Sequence, residues 1–146
     1  MNHVIQYKHK ERGQSMIELA LMLTILMVLL AGTVDLGRAF FTWLAMRDAA
    51  QEGASYASIE PLESVKIEER VRFNINDTIR EPAAIVQVNV SFDGPRCLSS
   101  TPSTVTVNVN YENFPITMPF LGTLLGSQTI PIHATVDDTI LAPMCP

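Results

Sequence analysis

The side chains that could do chemistry are too widely separated along this chain to indicate a catalytic centre. The three histidines, His3, His9 and His133, lie towards opposite ends, and no serine-hydrolase, zinc-protease, P-loop or dinucleotide-binding motif occurs. The two cysteines, Cys97 and Cys145, have no second pair nearby, which fits neither a zinc site nor a CxxC redox site. One disulfide is the chemistry that remains. We therefore expect a protein that is not an enzyme and that uses no cofactor or metal.

One carboxylate lies in an unusual place. Glu18 directly precedes Leu19–Val34, a run of 16 residues without a charge. A carboxylate inside a membrane helix costs several kcal/mol unless it has a positive partner. Two interpretations follow: Glu18 pairs with a positively charged group, or it merely reaches towards the cytoplasmic head groups.

The composition excludes two broad classes of protein. Hydrophobic residues make up 47% and charged residues 17% of the 146 residues, and the mean hydropathy is +0.20. Because the apolar excess is concentrated in Leu19–Val34, we expect this segment to meet lipid, which disfavours a soluble cytosolic enzyme. A net charge of −5 with scattered basic residues disfavours nucleic acid as a partner.

The flanks of the apolar run predict its orientation. Lys8, Lys10 and Arg12 precede it, whereas the charges that follow nearly balance, so residues 1–13 are expected in the cytoplasm and everything after the run outside. Sixteen helical residues rise only about 24 Å, short of roughly 30 Å of hydrocarbon, so the helix must recruit neighbours such as residues 14–18. A cleaved secretory signal peptide is the alternative, although a small-x-small cleavage site is not apparent after the run.

A single helix is expected to continue beyond the membrane. There is no proline between Leu36 and Ala57, and apolar or small residues recur at helical spacing, which predicts one helix from about Gln14 to about Ser58. Small residues near its end form a stripe that lets another backbone approach closely, and we expect a sheet to cover it. The stripe consists of Ala49, Ala50, Gly53, Ala54 and Ala57.

The remainder of the chain predicts a second helix and a small sheet. Isoleucine and valine at i+4 spacing over 62–79 predict a surface helix, and apolar–polar alternation predicts strands over 86–92, 105–111 and 130–136. Pro131 cannot donate a ladder hydrogen bond, which favours an edge position for the last strand. The expected fold class is α+β: a long N-terminal helix on a three-stranded antiparallel sheet, with a second helix alongside.

Three motifs, taken together, resemble a known family. The segment Arg12–Glu18 resembles the processing site of type IV prepilins. With Asp35–Phe40 and Ala49–Ala57 it is similar to the TadE-like family, minor pilins or pseudopilins of the tight-adherence (Flp-type) pilus system. The resemblance covers about a third of the chain and is specific through the order of the motifs. It departs from the usual prepilin pattern at Gln14 and Leu19.

The resemblance implies a non-enzymatic pilin-like subunit. A prepilin peptidase would remove the leader after Gly13, so that the mature chain begins at Gln14. Glu18 would be the carboxylate used in assembly, with the freed α-amino group of Gln14, on this or a neighbouring subunit, as its positive partner. The implied partners are this peptidase, other pilin or pseudopilin subunits, the pilus assembly platform and membrane lipid. The alternative is an uncleaved single-pass membrane protein whose exported domain is a binding or scaffold module.

These inferences divide the chain into three parts. Residues 1–13 are expected to form a cytoplasmic leader, residues 14–58 a long helix that spans the cytoplasmic membrane in its first half, and residues 59–146 an exported α/β domain. Both cysteines fall on the exported, oxidising side, so we expect a Cys97–Cys145 disulfide to pin the C-terminal tail across one end of the sheet. Two free thiols are the alternative.

Overall fold

Two helices and one sheet make up the described part of the chain. The structure, a computed structural model, describes residues 11–76, 79, 85–96, 103–118, 122–123 and 126–141. The elements are α1 (Glu11–Ile59), α2 (Ser64–Ile75), β1 (Gln87–Asp93), β2 (Thr104–Pro115) and β3 (Thr129–Thr139). The predicted α+β fold, with a long N-terminal helix, a second helix and a three-stranded antiparallel sheet, is confirmed.

The sheet has the order β1-β2-β3, and both strand pairs are antiparallel. The alternating valines of β2 are fully buried, as the period-2 pattern predicts. Pro131 is exposed on β3, an edge strand, where its missing N–H leaves no ladder bond unmade. The strand β2 continues past the predicted end because a register shift between Tyr111 and Phe114 returns Phe114 to the buried face.

The helix α1 has two halves with different surroundings. Over Leu19–Val34 most of its side chains are exposed although nearly all are apolar, whereas from Asp35 onwards one face is buried. Among the described residues, α1 is the one helix that is long and apolar enough to cross a membrane, and its most apolar stretch is not buried by the rest of the protein. A helix that is apolar on all sides and uncovered suits a lipid environment.

The second helix is shorter than its sequence pattern predicts. Ile67, Val71 and Ile75 form the buried i+4 face of α2, and the helix ends at Ile75. Ile79 extends the spacing and is also buried, but it lies in a bend, so the pattern overestimates the length of the helix.

The end of the sheet is joined to the end of α1. The backbone nitrogen of Leu141 donates to the carbonyl of Ser58 over 2.8 Å, and that of Ile140 donates to the carbonyl of Ser103 over 3.0 Å. The first bond fixes the residues that follow β3 against the last turn of the long helix, and the second joins them to the residue before β2.

Candidate functional site

Asp35 joins α1 to the connection between β2 and β3. Its Oδ1 accepts a hydrogen bond from the Thr117 hydroxyl, and its Oδ2 accepts one from the Met118 backbone nitrogen over 2.6 Å. The carboxylate side chain is only 9% exposed. A carboxylate this deeply covered needs donors for both oxygens, and the β2–β3 connection supplies them. The connection is therefore attached to α1 directly after the uncharged run.

Arg38 completes a cluster around this carboxylate. Its Nη1 lies 3.4 Å from Asp35 Oδ1 and 3.5 Å from the Thr117 hydroxyl, and its guanidinium carbon lies 5.5 Å from the centroid of the Phe114 ring. Because Arg38 is largely exposed, the ion pair adds little to stability, and its packing over the ring matters as much. We call Asp35, Arg38, Phe114, Thr117 and Met118 the Asp35 cluster.

Hydrogen bonding holds the pKa of the Asp35 carboxyl below its ordinary value. The Thr117 hydroxyl is the largest cause; burial opposes it, and the backbone N–H groups of Met118 and Thr117 and the charge of Arg38 act in the same direction as the hydroxyl. Asp35 follows the uncharged run and is outside it. The group is therefore ionised near neutral pH and uses both oxygens as acceptors.

Gly53 allows the second helix and the sheet to approach α1 closely. A Cβ at this position would overlap Val71 Cγ2 of α2 and would lie 3.7 Å from Val107 Cγ1 of β2. The four alanines of the stripe are also fully buried. The predicted cover for the stripe is thus present, with α2 contributing as well as the sheet. Nearby, Arg70 of α2 forms an exposed ion pair with Glu52 over 3.5 Å.

The residues predicted to take part in processing and assembly lie at the other end of α1. Gly13 and Gln14 are exposed and helical, and a Cβ at Gly13 would have no neighbour within 4 Å. Glu18 is also exposed, and within the described ranges no basic side chain forms an ion pair with it. Cys97 and Cys145 lie outside the described residues. The three that the structure describes, Gly13, Gln14 and Glu18, lie within six residues of one another on α1 and apart from the Asp35 cluster.

Metal binding is not indicated in the described part of the chain. No group of three or more His, Cys, Asp or Glu side chains there could hold a metal ion. The acidic residues instead take part in hydrogen bonds and ion pairs, as at Asp35 and Glu52.

The role of Asp35 was not evident from the sequence. Asp35 and Arg38 read as two charges that nearly cancel after the apolar run, and the hydrogen-bond partners of Asp35 lie 82 and 83 positions away. One signal was available, since an acidic residue immediately after an uncharged helix must either reach water or find buried donors.

Comparison with known proteins places these contacts in a family segment. The family model described as TadE-like protein matches residues 13–55. The N-terminal segment is TadE-like. This match confirms the resemblance carried by the three motifs, and it includes Gly13, Asp35 and Gly53. Comparison with curated proteins and with solved structures finds no match for the chain.

The TadE-like match is consistent with a protein of the tight-adherence pilus system. It covers a little under a third of the chain and coincides with most of α1. The family is a structural one associated with pili, so other pilus components are the kind of partner that it suggests. In the part of the chain that the structure describes, one helix is apolar and long enough to cross a membrane, and its position near the N-terminus fits a single-pass membrane protein.

Proposed function

We propose that the chain is a minor pilin or pseudopilin of the tight-adherence pilus system. It is inserted with its N-terminus in the cytoplasm, is trimmed after Gly13 by a prepilin peptidase, and takes part in pilus assembly without catalysis. The observation that carries this proposal is the TadE-like match over residues 13–55. Its partners are the peptidase, other pilin or pseudopilin subunits, the assembly platform and membrane lipid.

The first half of α1 supports a membrane-spanning role. Residues 14–34 rise about 31 Å as a helix, close to the roughly 30 Å of bilayer hydrocarbon. With this segment in the membrane, residues 1–13 are the cytoplasmic leader, and the Asp35 cluster lies where α1 leaves the bilayer. The upper part of the helix, to residue 58, then carries the exported domain of residues 59–146.

The surroundings of Gly13 support processing after this residue. Glycine in a helix costs roughly 0.5–1 kcal/mol relative to alanine. Packing does not require the glycine, because a side chain here would meet no other atom within 4 Å. A peptidase that must hold the chain extended at the scissile bond accounts for it.

The exposure of Glu18 supports a role that begins after processing. Its carboxylate lies on an apolar helix without an ion pair among the described residues. The α-amino group freed at Gln14, on the same or a neighbouring subunit, would supply the missing positive charge.

One observation favours a second candidate, an uncleaved single-pass protein with an exported scaffold domain. The Gly13–Gln14 bond lies within the helix α1, and a peptidase that binds an extended strand must first unwind this turn. In this candidate the leader is retained and the exported domain alone carries the function.

The intact mass of the membrane-extracted protein distinguishes the two candidates. In cells with an active prepilin peptidase, the wild-type chain is expected to begin at Gln14, and Gly13→Ala is expected to retain the leader. Gly37→Ala is the matched control, since Gly37 is also in α1 with no atom within 4 Å of an added Cβ. A wild-type chain that retains residue 1, or a Gly13→Ala chain processed like the control, would contradict the proposal.

A further inference from the structure

The connection between β2 and β3 reaches the level of the uncharged run of α1. A Cβ at Gly32 would lie 3.5 Å from Met118 Sδ, so the Met118 side chain lies against α1 at this glycine. Ala31 and Gly32 are the only half-buried residues of Leu19–Val34; the other residues of the run are exposed. The exported part of the chain therefore contacts the run itself, below Asp35.

This contact fixes the depth of Met118 relative to the bilayer. The argument rests on the proposed function, in which residues 14–34 span the membrane. Gly32 then lies about 3 Å inside the exported edge of the hydrocarbon, at a rise of about 1.5 Å per residue. Met118, in contact with it, lies at the same depth. The backbone at Met118 has little freedom to move away, because Asp35 holds its nitrogen over 2.6 Å.

The composition around the connection suits contact with lipid. From residue 113 to residue 132 the sequence contains no Asp, Glu, Lys, Arg or His. On α1, Leu36 lines the same groove as Met118 and is 74% exposed, and Phe40, one turn further along the helix, is also exposed. Exposed aromatic residues just outside an apolar segment are typical of the membrane interface, and a continuous exposed apolar surface marks a binding surface.

A groove between α1 and the sheet continues this surface into the protein. Its volume is about 270 Å³, and its apolar lining includes Gly32, Leu36 and Ala39 from α1 and Ile116, Met118 and Ile130 from the sheet side. Asp35 borders it, but both of its carboxylate oxygens are already bonded to Thr117 and Met118. The groove therefore favours a hydrocarbon occupant.

We propose that the exported domain is seated on the outer leaflet of the bilayer through this surface, with Met118 among the acyl chains and an acyl chain filling the groove. The apolar surface is continuous with the membrane-spanning part of α1, which makes lipid the neighbour already present at this depth. A zwitterionic bilayer suffices, because the connection offers no basic residues to anionic head groups.

Quenching of tryptophan fluorescence by brominated lipids tests the proposal. The full chain is reconstituted in phosphatidylcholine bilayers brominated either near the head-group end or near the methyl end of the acyl chains. Trp43, the one tryptophan, is first changed by Trp43→Phe, and single tryptophans are then introduced by Met118→Trp, Leu26→Trp and Leu141→Trp. Leu26 lies within the apolar run, and exposed Leu141 lies beside Ser58, about 36 Å along α1 beyond Val34.

Tryptophan at 118 is expected to be quenched several-fold more than tryptophan at 141, and more by shallow than by deep bromine. Quenching of the Leu26→Trp variant by deep bromine reports membrane insertion independently. If this variant is not quenched, the proposed function is contradicted, whereas the contact of the domain with the outer leaflet is tested by the Met118→Trp variant. With Leu26→Trp quenched, a Met118→Trp signal no stronger than that of Leu141→Trp overturns the proposal. Quenching at 118 that disappears as the protein-to-lipid ratio rises overturns it in favour of a second copy of the chain.

Discussion

Asp35 of α1 accepts a hydrogen bond from the backbone nitrogen of Met118, 83 positions further along the chain, over 2.6 Å. One carboxylate thus joins α1 to the connection between β2 and β3, at the point where the uncharged run ends. Asp35 lies within the TadE-like segment, and Met118 lies outside it. The acidic residue of that segment therefore holds the β2–β3 connection against α1.

Substitution of Asp35 is expected to destabilise the exported domain. Asp35→Ala removes the acceptor of the hydrogen bonds from Thr117, Met118 and Arg38 and leaves the half-buried Met118 N–H without this partner, at a cost of about 1–3 kcal/mol in the free energy of unfolding. Asp35→Asn keeps one acceptor oxygen and should cost less. Denaturant unfolding of the full chain in detergent micelles, followed by Trp43 fluorescence, measures both. Asp48→Ala removes an exposed carboxylate of the same helix and is the control, which should change stability little. If Asp35→Ala lowered the free energy of unfolding no more than Asp48→Ala does, the stabilising role of Asp35 would be contradicted.

Stability should depend on the ionisation of Asp35 at acid pH. Because the folded protein lowers the pKa of this carboxyl, its contribution is present above the ordinary aspartate pKa of about 3.9 and is lost as the pH falls through the lower, folded value. The difference in unfolding free energy between the wild type and Asp35→Asn should therefore be constant above about pH 5 and should narrow below about pH 4. The other carboxylates titrate alike in the wild type and in Asp35→Asn, so their contributions cancel in this difference. A difference that stays constant into the acid range would show that the charge contributes nothing.

Gly53 should not tolerate a side chain. In Gly53→Ala the new Cβ overlaps Val71 Cγ2, so α2 must move, at a cost of about 1–3 kcal/mol in the free energy of unfolding. Gly37→Ala, which meets no neighbour, should be neutral or slightly stabilising. A double-mutant cycle with Val71→Ala gives the decisive measurement: if overlap is the cause, the two costs are less than additive. If the costs of the two substitutions were strictly additive, overlap between the new Cβ and Val71 would not be the cause of the destabilisation.

Removal of the Glu18 carboxylate should affect assembly and not insertion. Glu18→Ala makes the membrane segment more apolar, so insertion and leader cleavage should continue. Pilus assembly should fail, because the freed amino group of Gln14 loses its partner. Glu63→Ala, at a half-exposed carboxylate outside the family match, is the control. Normal piliation of the Glu18→Ala strain, counted by electron microscopy, would show that the carboxylate only reaches towards the head groups.

A Cys97–Cys145 disulfide is the remaining prediction. Both cysteines follow the predicted membrane segment, and an exported location is oxidising. The bridge would close a loop of 47 residues and stabilise the domain by roughly 4 kcal/mol in the chain-entropy model. Thiol labelling of unfolded, unreduced protein should find no reactive cysteine. Two labelled cysteines per chain would show that the disulfide is absent and would argue against the exported location of both residues.

Periodicity in the sequence predicted most of the fold because each element buries one face. Alternating valines predicted β2, and i+4 isoleucines and valines predicted α2. The boundaries were harder to predict. The strand continues past Tyr111 because a register shift lets Phe114 return to the buried face, and the helix stops at Ile75 although Ile79 is buried. A local pattern reports burial and cannot distinguish a helical residue from one that packs from a bend.

The contact made by Asp35 could not be predicted in the same way. A hydrogen bond between residues 83 positions apart depends on how the sheet is placed on α1, and neither Asp35 nor Met118 carries a local signal for it. Gly53 was easier, because a run of small residues on one helix face already indicates a close neighbour. The sequence did not show that α2 would share that face with the sheet.

The two bonds that join the sheet to α1, at Asp35 and at Ser58, have a mechanical consequence. From Asp35 to Ser58, over about 35 Å, α1 is held against the sheet. It can bend in this stretch only if the contact at Asp35 or the one at Ser58 breaks. A force that draws the exported domain outward therefore loads both attachments and the whole packed face in shear instead of peeling the helix away turn by turn. Because Met118 also packs against Gly32, α1 first becomes unsupported below that glycine, so a pulling force on the sheet is transmitted along the helix axis to the preceding part of α1.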